Sequence, residues 1–350
     1  MRFDFCIGNP PYQDETLGDN STYAPQVYHK FMDASYEVCK AVELVHPGRF
    51  LFNAGSTPKA WNQKMLSDTH FKILLYEPDT KKIFLNAQIT GGIAISYRDE
   101  GKEYGPIGVF TVFPELNAIL HKTTRHPMFK SIEEIVVSRT VYRLTEKLHV
   151  EHPEAISQLS SGHAYDMSSN IFERLPQVFF VEAPQDGNEY IRMLGRSEGD
   201  RAYMFIRRDY VKQVHSLDKY KIVLARADGA AGTIGNPIPA RVIGQPVIEV
   251  PGTGTTESFL SIGAFETNKE AEAALKYVKT RFVRTLVGVL KTTQDINPGK
   301  WAYVPLQDFT PASDIDWAQP IPAIDQQLYR KYGLTEEEIT FIESHVKEMT

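Results

Sequence analysis

The residues Asn9-Pro10-Pro11-Tyr12 follow directly on the run Phe3-Asp4-Phe5-Cys6-Ile7-Gly8. Their types suit one task, which is holding an amine attached to an aromatic ring. The Asn9 side chain offers a neutral carbonyl acceptor. Pro10 offers a backbone carbonyl as a second acceptor. Two prolines fix φ and remove two backbone donors, so the acceptors stand in a stiff loop without competing amides. Tyr12 offers a flat face on which a base can stack, worth ~1–3 kcal/mol. The amino nitrogen of adenine is a poor nucleophile, because its lone pair is delocalised into the ring. Two acceptors on its hydrogens push it toward tetrahedral geometry and stabilise the positive charge that grows as a methyl group arrives. For the bare tetrapeptide, a Pro-Pro turn after an edge strand with Tyr12 packed on the surface is the plain alternative. The preceding strand argues for a site, since ligands in α/β sheets bind outside the carboxyl ends of strands.

The elements that must position this loop follow in order. Residues 3–7 read as a strand and 13–22 as a polar loop. From Ala24 to Val42 apolar residues recur at helical spacing, which predicts one amphipathic helix broken by Pro47-Gly48. Arg49–Asn53 reads as a second strand, and Ser56-Thr57-Pro58 opens a helix running to Leu66. Phe71–Tyr76 is a third strand. Lys82–Leu85 and Ile89–Tyr97 read as the close of the sheet, with Gly91-Gly92 permitting a bulge or a close approach.

Past Phe113 the texture changes to short strands among Gly and Pro: 177–183, 190–194, 202–206, 220–225, 247–250 and 259–265. One long helix is expected over Lys269–Leu290, and a last one after Thr335, with Glu338 completing a capping box. Ten basic residues against seven acids crowd 186–241, interleaved with tyrosines. From these, Arg192, Arg207, Arg208, Lys212, Lys221 and Arg226 are the expected DNA-contacting set. A solvated face over buried aromatics explains the same composition.

Net charge is −6, and residues 308–350 account for all of it, with nine acids against three basic residues. The balance therefore neither announces nor excludes a basic groove elsewhere. The 42% hydrophobic content is that of a globular chain. No apolar run reaches membrane-spanning length, and no signal peptide is evident. No metal-ligand spacing occurs. Cys6 and Cys39 fall in an expected strand and an expected helix, so both read as reduced core thiols, which favours a cytoplasmic location.

The amino-terminal segment resembles motif IV of the γ-class N6-adenine DNA methyltransferases of restriction–modification systems, especially the type IIG-like enzymes that fuse methylation with target recognition. Thr255–Leu260, Lys291–Gln294, Tyr303–Phe309 and Tyr332–Ile339 resemble the end of such an enzyme's recognition region and its closing tail. The resemblance implies that Asn9 and Pro10 hold the target amino group, Pro11 shapes the loop, and Tyr12 stacks on the flipped base. Phe84 matches the position of a second aromatic supporting that base, with a plain core phenylalanine as the alternative. It also implies S-adenosylmethionine as methyl donor and double-stranded DNA as substrate. The fold expected is α/β: the second half of a Rossmann-like methyltransferase sheet over 1–112, a mixed α+β target-recognition domain over 113–310, and an acidic helical tail over 311–350.

A γ-class enzyme places its Gly-rich cofactor loop before motif IV, where this sequence has no room for one. Two later Gly-rich stretches, 249–256 and 229–235, lack the helix that should open directly behind such a loop. The chain is therefore expected to be incomplete without an amino-terminal cofactor-binding half, which a second chain could carry, and to leave strand 3–7 at an open sheet edge. Two other functions stay in view. One is a DNA-specificity module without catalysis; the other is a methyltransferase acting on glutamine or RNA, which share the tetrapeptide.

Overall fold

The computed structural model describes residues 2–14, 25–53, 55–84, 89, 91–227, 234, 238–291 and 294–350. The chain divides into two compact units, Met1–Asn117 and Ala118–Thr350.

Unit 1 is built on a four-stranded mixed sheet. β1 is Phe3–Gly8, α1 Tyr28–Val38, β2 Cys39–Pro47, α2 Lys59–Ser67, β3 Phe71–Glu77 and β4 Ile93–Asp99. The strand order is β1-β2-β4-β3. β1 pairs parallel with β2, while β4 runs antiparallel to both β2 and β3. The last strand in sequence is thus inserted between the second and third. β1 is an edge, and Phe3, Phe5 and Ile7 on one of its faces are 58%, 49% and 73% exposed. The other side of the sheet is buried: Val42 and Leu44 pack with Tyr28, Met32, Phe50, Trp61, Met65 and Phe71.

Two expectations in this unit are corrected. The helix expected over Ala24–Val42 stops at Val38, and Cys39–Pro47 continues without a turn as the central strand. Arg49–Phe52, expected as that strand, is a 3-10 turn that ends on Asn53 in the left-handed conformation, φ 52°. Cys39 consequently opens a strand beside β1, and Cys6 and Cys39 form a disulfide with Cα atoms 6.0 Å apart. The reading of both as reduced thiols is overturned, and the cytoplasmic placement loses that support. Gly91 has φ 90°, and a Cβ there would lie 2.0 Å from the Arg49 Cγ, so glycine is what lets the approach to β4 close on this turn.

Unit 2 begins within α3, Pro114–Thr124, and carries β5 Val136–Val137, α4 Glu146–Glu151, α5 Ala155–Gln158 and α6 Ile171–Arg174. The strands β6 Tyr190–Ser197, β7 Asp200–Arg207, β8 Tyr220–Ala225, β9 Val247–Glu249, β10 Thr253–Thr255 and β11 Phe259–Phe265 follow. They form two sheets, ordered β10-β6-β7 and β5-β11-β8-β9. The expected strand over 177–183 is reduced to a single bridge between Phe180 and Phe205. The one long helix expected over 269–290 is two, α7 Asn268–Lys279 and α8 Arg281–Leu290. Thr280 ends the first and caps the second, its hydroxyl accepting from the Val283 amide. α9 Ile321–Lys331 and α10 Glu336–His345 complete the unit, and the Thr335–Glu338 capping box is present. No described helix is long and apolar enough to cross a membrane.

Candidate active site

The tetrapeptide leaves the carboxyl end of β1 and is anchored at its far end. The Val27 amide donates to the Tyr12 carbonyl at 3.1 Å, Gln13 bridges Gln26, and the Asp14 amide donates to the Pro25 carbonyl at 2.9 Å. A short antiparallel clasp therefore ties the loop to the start of α1. Within it, the Asn9 side chain is exposed and its amide approaches the Tyr12 hydroxyl, while among the described residues neither its carbonyl nor the Pro10 carbonyl accepts a hydrogen bond. Both acceptors are thus uncommitted, on a backbone that two prolines stiffen.

Tyr12 is half-buried, its ring packed against the core cluster below. Burial raises its pKa, and the nearby Asn9 amide offsets part of that shift. The two groups approach without completing a hydrogen bond of good geometry, so the Tyr12 hydroxyl is shielded and unpartnered. The cost of a shielded hydroxyl gives a prediction. Tyr12→Phe should leave stability unchanged or raise it by up to ~1 kcal/mol, while Tyr12→Ala should lower it by ~1–3 kcal/mol. Thermal denaturation of both variants is the check, and a phenylalanine variant that melts well below wild type would show that the hydroxyl is bonded after all.

Beside the loop lies an open groove of about 450 Å³, lined by Pro11, Gln13, Asp14, Val27, Lys30, Phe31 and Ala34. Of the four motif residues only Pro11 contributes to it. Beneath the groove Tyr28 is fully buried, stacked 6.0 Å from His46 and edge-on to Trp61. Burial pushes the Tyr28 hydroxyl up to about 12 and the His46 imidazole down to about 4. His46 is held neutral between the Pro47 carbonyl at 3.1 Å and the Ser96 hydroxyl at 2.8 Å. Burial also lowers the pKa of His29, whose Nδ1 is shielded and unpartnered. Sequence reasoning missed this layer; the signal was a cluster of aromatics and histidines on either side of the break at Pro47.

Phe84 is half-buried in an irregular stretch after a 3-10 turn over Thr80–Lys82, and makes no ring contact with Tyr12. Its neighbours 85–88 lie outside the described residues, as do 15–24, 292–293 and all of the Gly-rich stretch 229–235 except Ile234. In the other Gly-rich stretch, 249–256, residues 253–255 are β10, whose Gly254 is so enclosed that a Cβ would lie 2.6 Å from the Met193 sulfur, while Gly252 lies in an open turn. The element behind the stretch is the strand β11 and the next helix starts only at Asn268, so the stretch does not fit S-adenosylmethionine. Among the described residues no His, Cys, Asp and Glu cluster could hold a metal ion.

The expected DNA-contacting set divides sharply. Arg207 meets Glu151 and Asp209, both at 2.7 Å, and Arg208 meets Asp218 at 2.5 Å. Arg192 pairs with Glu249 at 3.1 Å and lies over the Tyr203 ring, and Arg226 pairs with Asp295 at 2.7 Å. Lys212 is exposed. Lys221 is wholly buried on β8, its ammonium donating to the Lys219 carbonyl at 2.8 Å, and burial lowers its pKa to about 8. It reaches no phosphate and leaves the expected set. A buried ammonium is costly. Lys221→Met should leave duplex affinity untouched, because the side chain is interior, and a binding titration on one duplex checks this.

Residues 1–84, which include the tetrapeptide, match the family model for the Eco57I restriction-modification methylase. No curated protein matches the chain. Among solved structures, the type IIG restriction endonuclease BpuSI is similar at 8% identity and a TM-score of 0.32, over 92% of this chain and 49% of that one. The chain spans about half the length of that enzyme.

Proposed function

We propose that this protein takes part in site-specific N6-adenine methylation of double-stranded DNA within a restriction–modification system. The observation that carries the reading is the pair of uncommitted acceptors, the Asn9 side chain and the Pro10 carbonyl, on a clasped proline loop at the end of a strand. The match of residues 1–84 to a restriction-modification methylase supports it. On this reading the target adenine leaves the duplex, at a cost of a few kcal/mol of unstacking. Tyr12 meets its ring, and Phe84 is the second candidate for that role. Asn9 and Pro10 accept from the amino hydrogens and pull electron density toward the nitrogen. No base is needed before attack, and water takes the proton afterwards. S-adenosylmethionine is the methyl donor common to such methylases. The Gly-rich stretch 249–256 does not fit it, and what this chain supplies is the grip on the target amine.

The sheet of unit 1 is, on the same reading, half of a Rossmann-like methyltransferase sheet. β1 and β2 are parallel, and β4 is inserted antiparallel between β2 and β3. The unpaired edge of β1, with Phe3, Phe5 and Ile7 exposed beside it, suits completion by a further strand from another polypeptide segment. Unit 2, with its mixed sheets, is the proposed target-recognition region.

The test is transfer of labelled methyl from S-adenosylmethionine into duplex DNA of mixed sequence, with and without the products of neighbouring genes, followed by nucleoside analysis. Label in N6-methyladenine supports the reading. Label in cytosine, RNA or a protein glutamine overturns it. Tight duplex binding without transfer under any combination would leave a DNA-specificity module as the function.

A further inference from the structure

β6 and β7 form a hairpin closed by Glu198-Gly199, both with positive φ, 51° and 92°. That is the turn geometry which best matches strand twist. The register sets Arg196 directly opposite Arg201. Like charges directly opposite one another destabilise a sheet, and the guanidinium keeps its charge at any accessible pH. Among the described residues no carboxylate neutralises this pair. Both guanidiniums lie by the same Phe259 ring, at 5.8 and 5.7 Å from its centroid. Each spends a donor on a backbone carbonyl, Arg196 on Gly199 at 2.5 Å and Arg201 on Gln245 at 2.8 Å. The turn acids Glu198 and Asp200, although adjacent in sequence, pair with neither. The contrast with Arg192 is local, since it stands four residues before Arg196 on the same strand and is neutralised by Glu249.

We infer that Arg196 and Arg201 form an anion clamp that takes a backbone phosphate of duplex DNA. Two planar forks with free N–H groups match phosphate oxygens bidentately. The Phe259 ring holds both without supplying a counter-charge. The inference rests on the duplex-DNA reading for its source of phosphate, but the clamp itself is a separate property of the hairpin.

The experiment titrates salt against the affinity of the full chain for a mixed-sequence duplex. In parallel it follows thermal stability in inorganic phosphate against chloride at equal ionic strength. Arg196→Gln/Arg201→Gln should reduce the slope of log K against log salt by ~1–2. It should also abolish any phosphate-specific rise in melting temperature. Lys221→Met, buried, should leave the slope as in wild type. An unchanged slope in the double variant overturns the clamp. If wild type binds no duplex yet phosphate stabilises wild type and not the double variant, the clamp stands and the duplex reading falls. If phosphate stabilises neither and no duplex binds, both fall.

Discussion

Replacing Asn9 with Ala should lower methyl transfer to adenine by about 10²–10³-fold, the usual cost of deleting one preorganised group aimed at developing charge. Duplex affinity should stay within about twofold of wild type. The separation follows from geometry. The Asn9 side chain is exposed, and the Tyr12 hydroxyl that its amide approaches completes no hydrogen bond of good geometry with it, so its loss opens no packing void. The loop itself is held by the backbone bond from Val27 to Tyr12 and by the bridge from Gln13 to Gln26, neither of which involves Asn9. The measurement pairs a labelled-methyl assay, run with whichever partner restores full activity, with a binding titration on one duplex. Asn9→Asp is the informative companion. It keeps an acceptor but adds a charge that interacts with the exposed loop, and should retain more transfer than Ala. Equal loss of binding and transfer in Asn9→Ala would assign Asn9 a structural role and remove the main support for the proposed chemistry.

Acid should act oppositely on the two units. His46 is buried and neutral, with its pKa down to about 4 against 6.5 for a free imidazole. Above pH 6.5 its contribution is constant. As pH falls from 6.5 toward 4 the unfolded chain takes up a proton that the folded state refuses, so unit 1 loses stability. The full window amounts to ~3 kcal/mol. In unit 2, burial raises Asp325 from 3.8 to about 6, even though its carboxylate accepts from the Arg281 amide at 3.1 Å and the Phe282 amide at 2.9 Å. Here the folded state holds the proton more tightly, so stability rises as pH falls from 6 to 3.8, by a similar ~3 kcal/mol. Calorimetric scans from pH 7 to 4.5 should show a transition of unit 1 moving down while the Asp325 contribution holds unit 2 up. His46→Gln should flatten the fall of unit 1. Two units that shift in parallel, or a His46 variant with an unchanged pH profile, would defeat this account.

Local chemistry was legible wherever punctuation was strong. Proline at 10 and 11 marked the loop, and strands 220–225 and 259–265 were bounded as found, because β-branched and aromatic residues alternate there between turn residues. The Thr335–Glu338 box was readable for the same reason. The errors fall where elements join without punctuation. α1 passes into β2 at Val38–Cys39 with no Gly, Pro or Asn between them, so the apolar residues of a half-buried strand continue the helical spacing. Thr280 divides α7 from α8 with one side-chain cap, again without a breaker. Basic residues were least legible. A sequence gives the density of arginines but not which carboxylate each will meet across a sheet. Thus Arg207 and Arg208 are occupied and Lys221 is interior, while the uncompensated pair, Arg196 and Arg201, passed unmarked among ten candidates.

The insertion of β4 between β2 and β3 fixes the order in which unit 1 can mature during synthesis. Until Ile93–Asp99 has left the ribosome, β3 has no neighbour to bond with, and β2 has β1 on one flank alone. A nascent chain arrested before residue 93 holds the β1-β2 pair and an unpaired β3 segment rather than a shorter version of the sheet. Cooperative protection of β2 should therefore switch on in a single late step, and non-local pairing of this kind slows folding. Stalled intermediates of this segment leave strand edges unpaired, which favours aggregation.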